Sequence, residues 1–219
     1  MTNRTTVHVM RHGQVLNPHG LLYGRLPGFG LSELGHTMAQ RMAEHWRDEP
    51  LTHLRCSPLQ RARETMAPSA QAHPELEVVV DDRLIEAANV FEGKVFGKRN
   101  AALFDPRMFW AMRNPLRPSW GEPYTQIAER MLAAITDAAR AAGDGGTALV
   151  VSHQLPIYIA RRAVEGRSFV HDPRRRGTTL CSVTSFVFDS DRPVRVDYAE
   201  HIPDLLPVST SSGKFRVGT

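Results

Sequence analysis

Short apolar runs alternate with stretches of helical periodicity along most of the chain. Thr5 to Met10, with Val7 and Val9, reads as a buried strand that stops at Gly13, where glycine allows a sharp turn. A loop from Gln14 to Leu31 follows, broken by Asn17, Pro18, Gly20, Gly24, Pro27, Gly28 and Gly30; a loop of this length inside a domain is often functional. Ser32 then caps a helix, with Glu33 at its positive end and Leu34, Met38, Met42, His45 and Trp46 near helical spacing. Leu51 to Cys56 is a second strand. Ser57-Pro58 opens the next helix, with Ser57 as cap and Pro58 at the first helical position, running to about Ala72. Leu76 to Val80 is a third strand, leading through Asp81-Asp82-Arg83 to Leu84-Ile85-Glu86.

The spacing predicts a long amphipathic helix over Glu122 to Ala142, stopped by Gly143, and then a fully buried strand, Thr147 to Ser152. Another helix follows Pro156, and Leu180 to Phe188 and Val194 to Tyr198 are two more strands. From about Pro203 the chain turns polar and small, as a mobile tail would. Alternating strands and helices imply an α/β fold of three layers, a mostly parallel sheet with helices on both faces. The irregular part, about 87–121, holds Phe91, Phe96, Phe104, Phe109, Trp110 and Trp120 among Lys94, Lys98, Arg99, Arg107 and Arg113. It reads either as a lid-like insertion over the sheet or as a small helical subdomain whose aromatics are core. The 219 residues suit one domain, 1–219, carrying this insertion and the tail from about 203.

Bulk composition narrows the classes. Hydrophobic content of 42% with 23% charged residues fits a folded domain. No stretch approaches ~18 consecutive apolar residues, so no membrane span is expected. The opening Met1-Thr2-Asn3-Arg4 has no apolar leader, which makes the cytoplasm the expected location. A net charge of +4 is too mild to argue for a nucleic-acid surface. The run Arg174-Arg175-Arg176 reads as a solvated loop, an acidic ligand contact being the alternative. Cys56 and Cys181 are too few to build a disulfide framework, so both are expected reduced and packed.

Candidate chemistry collects after the strands. Arg11-His12 follows the first, Ser57 to Arg61 the second, Glu86 comes shortly after the third, and His153 follows the fourth. In an open α/β sheet these positions share one edge, where ligands gather. Arginine forks match phosphate oxygens, an unprotonated histidine can attack phosphorus, and a nearby carboxyl can protonate the departing alkoxide. No H-E-x-x-H or Cys/His cluster suggests a metal, and no cofactor is implied. The other histidines are scattered and read as structural.

These motifs resemble the histidine phosphatase, or phosphoglycerate mutase-like, superfamily. They are Arg11-His12-Gly13 with Asn17; Gly24 through Leu31-Ser32-Glu33-Leu34-Gly35; Ser57-Pro58-Leu59-Gln60-Arg61-Ala62-Arg63-Glu64-Thr65; Leu84-Ile85-Glu86 with Phe91-Glu92-Gly93; Gly121-Glu122; and Val150-Val151-Ser152-His153. They run in family order from about residue 5 to 202. The resemblance implies a phosphoglycerate mutase-like fold and a bacterial, metal-independent phosphatase of a small-molecule phosphomonoester. His12 would be the nucleophile, Arg11, Arg61 and His153 the phosphoryl clamp, and Glu86 the general acid and then base. Asn17 and Gly24 would add phosphate contacts. Gln154 stands where many members carry glycine, so it could reach phosphate or narrow the pocket. The arginine and tyrosine that follow the acid in glycolytic mutases are replaced by Ala87 and Ala88, which favours the phosphatase branch. Mutase-type transfer and an inactive phospho-ligand-binding protein are the alternatives. Neither nucleic acid nor membrane is an expected partner, and a homodimer stays open.

Overall fold

The strand that carries Arg11 has both edges paired and so sits inside the sheet. A computed structural model describes residues 4–94, 121–172 and 175–206. Its main elements are β1 (Thr5–Arg11), α1 (Glu33–Trp46), β2 (Leu51–Cys56), α2 (Gln60–Ala72), β3 (Val78–Val80), α3 (Tyr124–Ala142), β4 (Thr147–Ser152), α4 (Gln154–Val164), β5 (Val183–Asp189) and β6 (Arg192–Ala199). The sheet order is β3-β2-β4-β1-β5-β6. β1 with β4, β4 with β2 and β2 with β3 are parallel, whereas β5 runs antiparallel to both β1 and β6. The sheet is therefore mixed, with a parallel half built by helical crossovers and a hairpin completing it.

Strand alternation sorts the core into two layers. Val7, Val9, Ala148, Val150, Phe186 and Phe188 pack against α3 and α4 through Ile127, Met131, Ile135 and Ile157. Met10, Leu54, Leu149, Val151 and Val183 face α1 and α2 through Met38, Met42, Trp46 and Met66. Both cysteines are free and buried; burial pushes the Cys56 thiol up to about 11 and the Cys181 thiol up to about 12.

Several boundaries differ from the sequence expectation for local reasons. α2 begins at Gln60 with Leu59 as its cap. Ser57 lies two residues ahead of that cap, its N–H bonded to Val151 O at 3.0 Å and its Oγ accepting from Leu59 N–H at 3.4 Å. α4 starts at Gln154, ahead of Pro156; proline is tolerated in a first turn because its missing N–H would have no helical partner there. α3 starts at Tyr124 with Pro123 as cap, which leaves Glu122 outside the helix. The third strand is only Val78–Val80, and the fifth starts at Val183. Pro203–Leu205 form a 3₁₀ turn behind the buried Ile202, so the tail expected from residue 203 begins as ordered chain. The rest of that tail, and residues 95–120 of the expected insertion, lie outside the described residues; the insertion's two flanks meet at an isolated bridge between Asn89 and Gly121. No helix among the described residues is long and apolar enough to cross a membrane.

His8 on β1 packs its ring 5.0 Å from Trp46 and pairs Nδ1 with Ser185 Oγ at 2.8 Å. Burial, with smaller effects from His201 and His45, lowers its pKa from 6.5 to about 4. Between those values the unfolded chain binds a proton that the native chain refuses, so stability is complete above the upper value and falls as pH drops through the window. That window sets an upper limit of roughly 3 kcal/mol. Urea midpoints from pH 7 to pH 4 should fall less steeply for His8→Gln than for wild type; identical slopes would remove His8 from the account.

Candidate active site

Parallel pairing sets three strand ends side by side. Arg11 is in register with Ser152, His12 N–H donates to Ser152 O at 3.1 Å, and Ser57 N–H donates to Val151 O at 3.0 Å. The chain steps from β1 outward to β2 and β3, and β4 then returns between β2 and β1. The crevice at such a reversal is where an α/β sheet binds ligands. Here it collects Arg11, His12, Arg61 and His153, each no more than 3% exposed.

None of these four cationic or potentially cationic groups has a carboxylate in hydrogen-bond contact among the described residues. Arg11 Nη1 donates to Thr178 O at 2.8 Å, and Arg61 Nη2 donates to Gly24 O at 2.8 Å. The Arg61 guanidinium also lies 4.8 Å from the centre of the Tyr23 ring, an electrostatically favourable position. Arg11 Nε, Arg61 Nε and His153 Nδ1 are buried without a partner among the described residues. His153 Nε2 pairs with Ser57 Oγ at 2.7 Å, which is the use found for the serine that does not cap α2.

His12 has a defined orientation. Its Nδ1 lies 2.8 Å from Gly13 O; a carbonyl only accepts, so Nδ1 carries the proton and Nε2 of the neutral ring keeps its lone pair. Burial, reinforced by Arg61 and Arg11, holds the His12 pKa well below its ordinary value. Burial and Arg61 act in the same direction on His153. His12 is thus a neutral imidazole at neutral pH, with one nitrogen free to act as a nucleophile. Its ring centre is 5.2 Å from that of His153.

The turn after His12 is fixed from two sides. Gly13 N–H donates to Thr65 Oγ1 at 3.0 Å, and Thr65 Oγ1 donates to Arg61 O at 2.7 Å. A side chain on Gly13 would meet Gly35 O at 2.8 Å, and one on Gly35 would meet Gln14 O at 2.0 Å. That close approach explains a glycine in each motif. Ser32 accepts from Gly35 N–H at 3.0 Å as cap of α1 and donates to Gln14 Oε1 at 2.7 Å, so the long loop closes where it began.

Glu86 is brought to the same crevice. Ser152 Oγ donates to Leu84 O at 2.8 Å, tying the end of β4 to the turn before Glu86. Burial lowers the pKa of Arg11 and of Arg61, and both Tyr23 and Glu86 oppose that shift. The Glu86 carboxylate accepts from Ala87 N–H at 2.8 Å. Its backbone is held by a charged frame. Arg25 Nε donates to Glu86 O at 2.6 Å, and Arg130 Nη1 donates to Ile85 O at 2.7 Å. Glu122 joins the two arginines, at 2.9 Å from Arg25 Nη2 and 2.7 Å from Arg130 Nε.

The remaining sequence candidates have distinct places. Asn17 donates to Leu21 O at 2.8 Å and accepts from Leu21 N–H at 3.0 Å, closing a turn in the loop. Gly24 has φ +39 and turns its carbonyl to Arg61; a side chain there would strike Glu92 Oε1 at 2.2 Å. Gln154 donates to Thr178 O at 3.3 Å, the carbonyl that also anchors Arg11. Sequence reasoning missed Tyr23 and Arg25, which lie in a loop without periodicity. It also missed Arg176, half-buried rather than solvated, whose Nε donates to His171 Nε2 at 2.9 Å. Arg175 beside it is exposed. Among the described residues no group of three or more His, Cys, Asp or Glu side chains is arranged to hold a metal ion.

Comparison with known proteins agrees with this geometry. A model of the histidine phosphatase superfamily (branch 1) matches residues 7–201. An uncharacterized protein of Mycobacterium tuberculosis, Rv0525, is 50% identical over 200 residues, covering 91% of this chain and 98% of its own. The fold is similar to that of mycobacterial glucosyl-3-phosphoglycerate phosphatase Rv2419c, with a TM-score of 0.71 at 24% identity over 89% of this chain and 97% of that one. It is also similar to a phosphoglycerate mutase of Bacillus anthracis, with a TM-score of 0.66 at 21% identity over 90% and 92%.

The Thr65 hydroxyl is the one side-chain support of the Gly13 N–H. Thr65→Val should lower the unfolding free energy by about 1–3 kcal/mol, the cost of leaving a buried polar group unpaired, while Thr65→Ser should lose much less. Equal losses in urea denaturation would assign the effect to methyl packing instead.

Proposed function

The chain belongs to the histidine phosphatase superfamily, and from that premise we propose that it hydrolyses a small phosphomonoester through a phosphohistidine, without a metal. The observation that carries this reading is the set of buried nitrogens left without partners among the described residues: Arg11 Nε, Arg61 Nε and His153 Nδ1. Buried polar groups are normally satisfied, and positive groups converging beside a neutral imidazole suit a bound phosphoryl dianion.

The steps follow from the residues. His12 Nε2 attacks phosphorus; an N–P bond forms as the ester P–O bond breaks. Glu86 gives its proton to the departing oxygen. Water then attacks phosphorus, giving a proton to Glu86 as the P–O bond forms and the N–P bond breaks, and inorganic phosphate leaves with His12 neutral again. Arg11, Arg61 and His153 stabilise the charge on the equatorial oxygens through both steps. Asn17 and Gly24 act through the loop that carries Tyr23, and Gln154 through Thr178, so their effect on phosphate is one of placement. Ala87 and Ala88, directly after the acid, offer no second anion clamp, which favours hydrolysis over intramolecular transfer.

His12→Ala should abolish hydrolysis in chelator-treated protein while the fold persists, and wild type should trap acid-labile, base-stable phosphate on His12. Phosphate on a serine or aspartate would refute the mechanism. Glu86→Gln should cost ~10²–10⁴-fold on alkyl phosphates, the usual worth of general acid catalysis, and far less on nitrophenyl phosphate, whose leaving group departs unprotonated. Equal losses on both would show that Glu86 is not the acid.

A further inference from the structure

Arg176 is a cation in the crevice that the phosphoryl clamp does not use. It is half-buried, and its Nε donates to His171 Nε2 at 2.9 Å. That histidine donates from Nδ1 to Phe169 O at 2.7 Å, so Nε2 of the neutral ring is an acceptor and fixes one edge of the guanidinium. The His171 ring stands 4.7 Å from Tyr158 and 5.5 Å from Tyr124, which makes a wall of two phenol rings beside the arginine. Thr178 Oγ1 donates to Arg176 O at 3.2 Å, and the Thr178 carbonyl holds Arg11. The residue is therefore tied to the same short segment that anchors the phosphoryl clamp. Among the described residues no carboxylate pairs with its Nη atoms.

Its electrostatic neighbours fix its side of the crevice. Burial lowers the Arg176 pKa, and Glu86, Tyr124 and Tyr158 oppose that shift. That opposition makes it a neighbour of Glu86. Tyr124 leads to the same place, since it opens α3 two residues after Glu122, whose N–H donates to Ala88 O at 3.1 Å. A general acid lies beside the leaving oxygen, so the far side of Glu86 is where the leaving group extends.

We propose that Arg176, braced by His171 between Tyr124 and Tyr158, is a recognition residue for a carboxylate on the leaving group, so that the substrate is a phosphorylated acid. This rests on the phosphatase reading for its orientation. The two Nη groups, lying in one plane, match the two oxygens of a carboxylate. A single cation suits a monoanion better than a second phosphoryl dianion, whose charge it would leave half compensated. The phenol rings supply apolar walls for a short carbon chain, with polar tips at their rims.

Binding tests the proposal without turnover. Titration calorimetry of wild type should show 3-phosphonopropionate binding at least about tenfold more tightly than propylphosphonate, as a charge-assisted hydrogen bond implies. Arg176→Gln should erase most of that preference, and Arg176→Lys, which keeps the charge, should lose less. In turnover, Arg176→Gln should lower the ratio of kcat/KM for carboxylate-bearing over neutral phosphomonoesters by a similar factor, mainly through KM. An unchanged ratio, an unchanged binding preference, or tighter binding of a bisphosphonate through Arg176 would overturn the proposal. Failure of the phosphatase reading is seen separately, as wild type that hydrolyses neither class of ester while the calorimetric preference remains.

Discussion

Burying positive charge without an acidic partner is the constraint from which the site follows. Removing a guanidinium from water costs several kcal/mol even after relaxation, and this chain buries Arg11 and Arg61 together. Ordinary ion pairing would relieve that cost and fill the crevice. Instead one carbonyl holds each arginine, Thr178 O for Arg11 and Gly24 O for Arg61, and Tyr23 offers its ring face to the second. Each guanidinium is oriented with no carboxylate in hydrogen-bond contact among the described residues. Burial, reinforced by these arginines, keeps His12 and His153 neutral, which is the state a nitrogen nucleophile requires.

The fold contains the opposite arrangement a few residues away. Glu122 is fully engaged by Arg25 and Arg130, and these arginines spend their remaining donors on the carbonyls of Glu86 and Ile85. Asp81 is held likewise. Although burial would raise its pKa, hydrogen bonds from Arg83 and Arg55 take it down to about 2. Paired charges of this kind fix backbone position, and breaking one partner away is costly. Satisfied networks therefore surround the crevice and hold rigid the segment that carries Glu86, while the arginines inside remain free to meet an anion. The separation of the two kinds of arginine, structural and unfulfilled, is what makes the crevice a site.

The sequence marked the edge where the candidate residues meet better than it marked the scaffolding around it. Arg11, His12, Arg61, Glu86 and His153 were legible because each follows a strand, and strand ends in an α/β sheet share an edge whatever the intervening helices do. The parallel half of the sheet was legible for the same reason. β5 was not legible as an antiparallel strand, because an apolar run carries no sign of direction. Ser57 was misread because a serine before a proline carries the same pattern whether it caps a helix or ends a strand; a partner 96 residues away in sequence, His153, decides between them. Arg25, Glu122 and Arg130 meet across three segments, and no local periodicity marks such a meeting. Arg176 was hidden inside a basic run, where exposure of Arg175 and burial of its neighbour follow from loop geometry alone.

The proposed chemistry and the stability of the fold share one origin here, and both weaken as pH falls. The burial that leaves His12 neutral also means that native protein refuses a proton which unfolded chain accepts, and the same holds for His153 and His8. Stability must therefore decline as pH drops below the ordinary histidine range. Protonating His12 in place would add a third positive charge to Arg11 and Arg61 and remove the lone pair at once. A phosphoryl dianion would compensate the guanidiniums and supply acceptors for Arg11 Nε and Arg61 Nε, so its binding would stabilise the native chain. Buried donors left open beside a complete core suit that role better than a purely structural one.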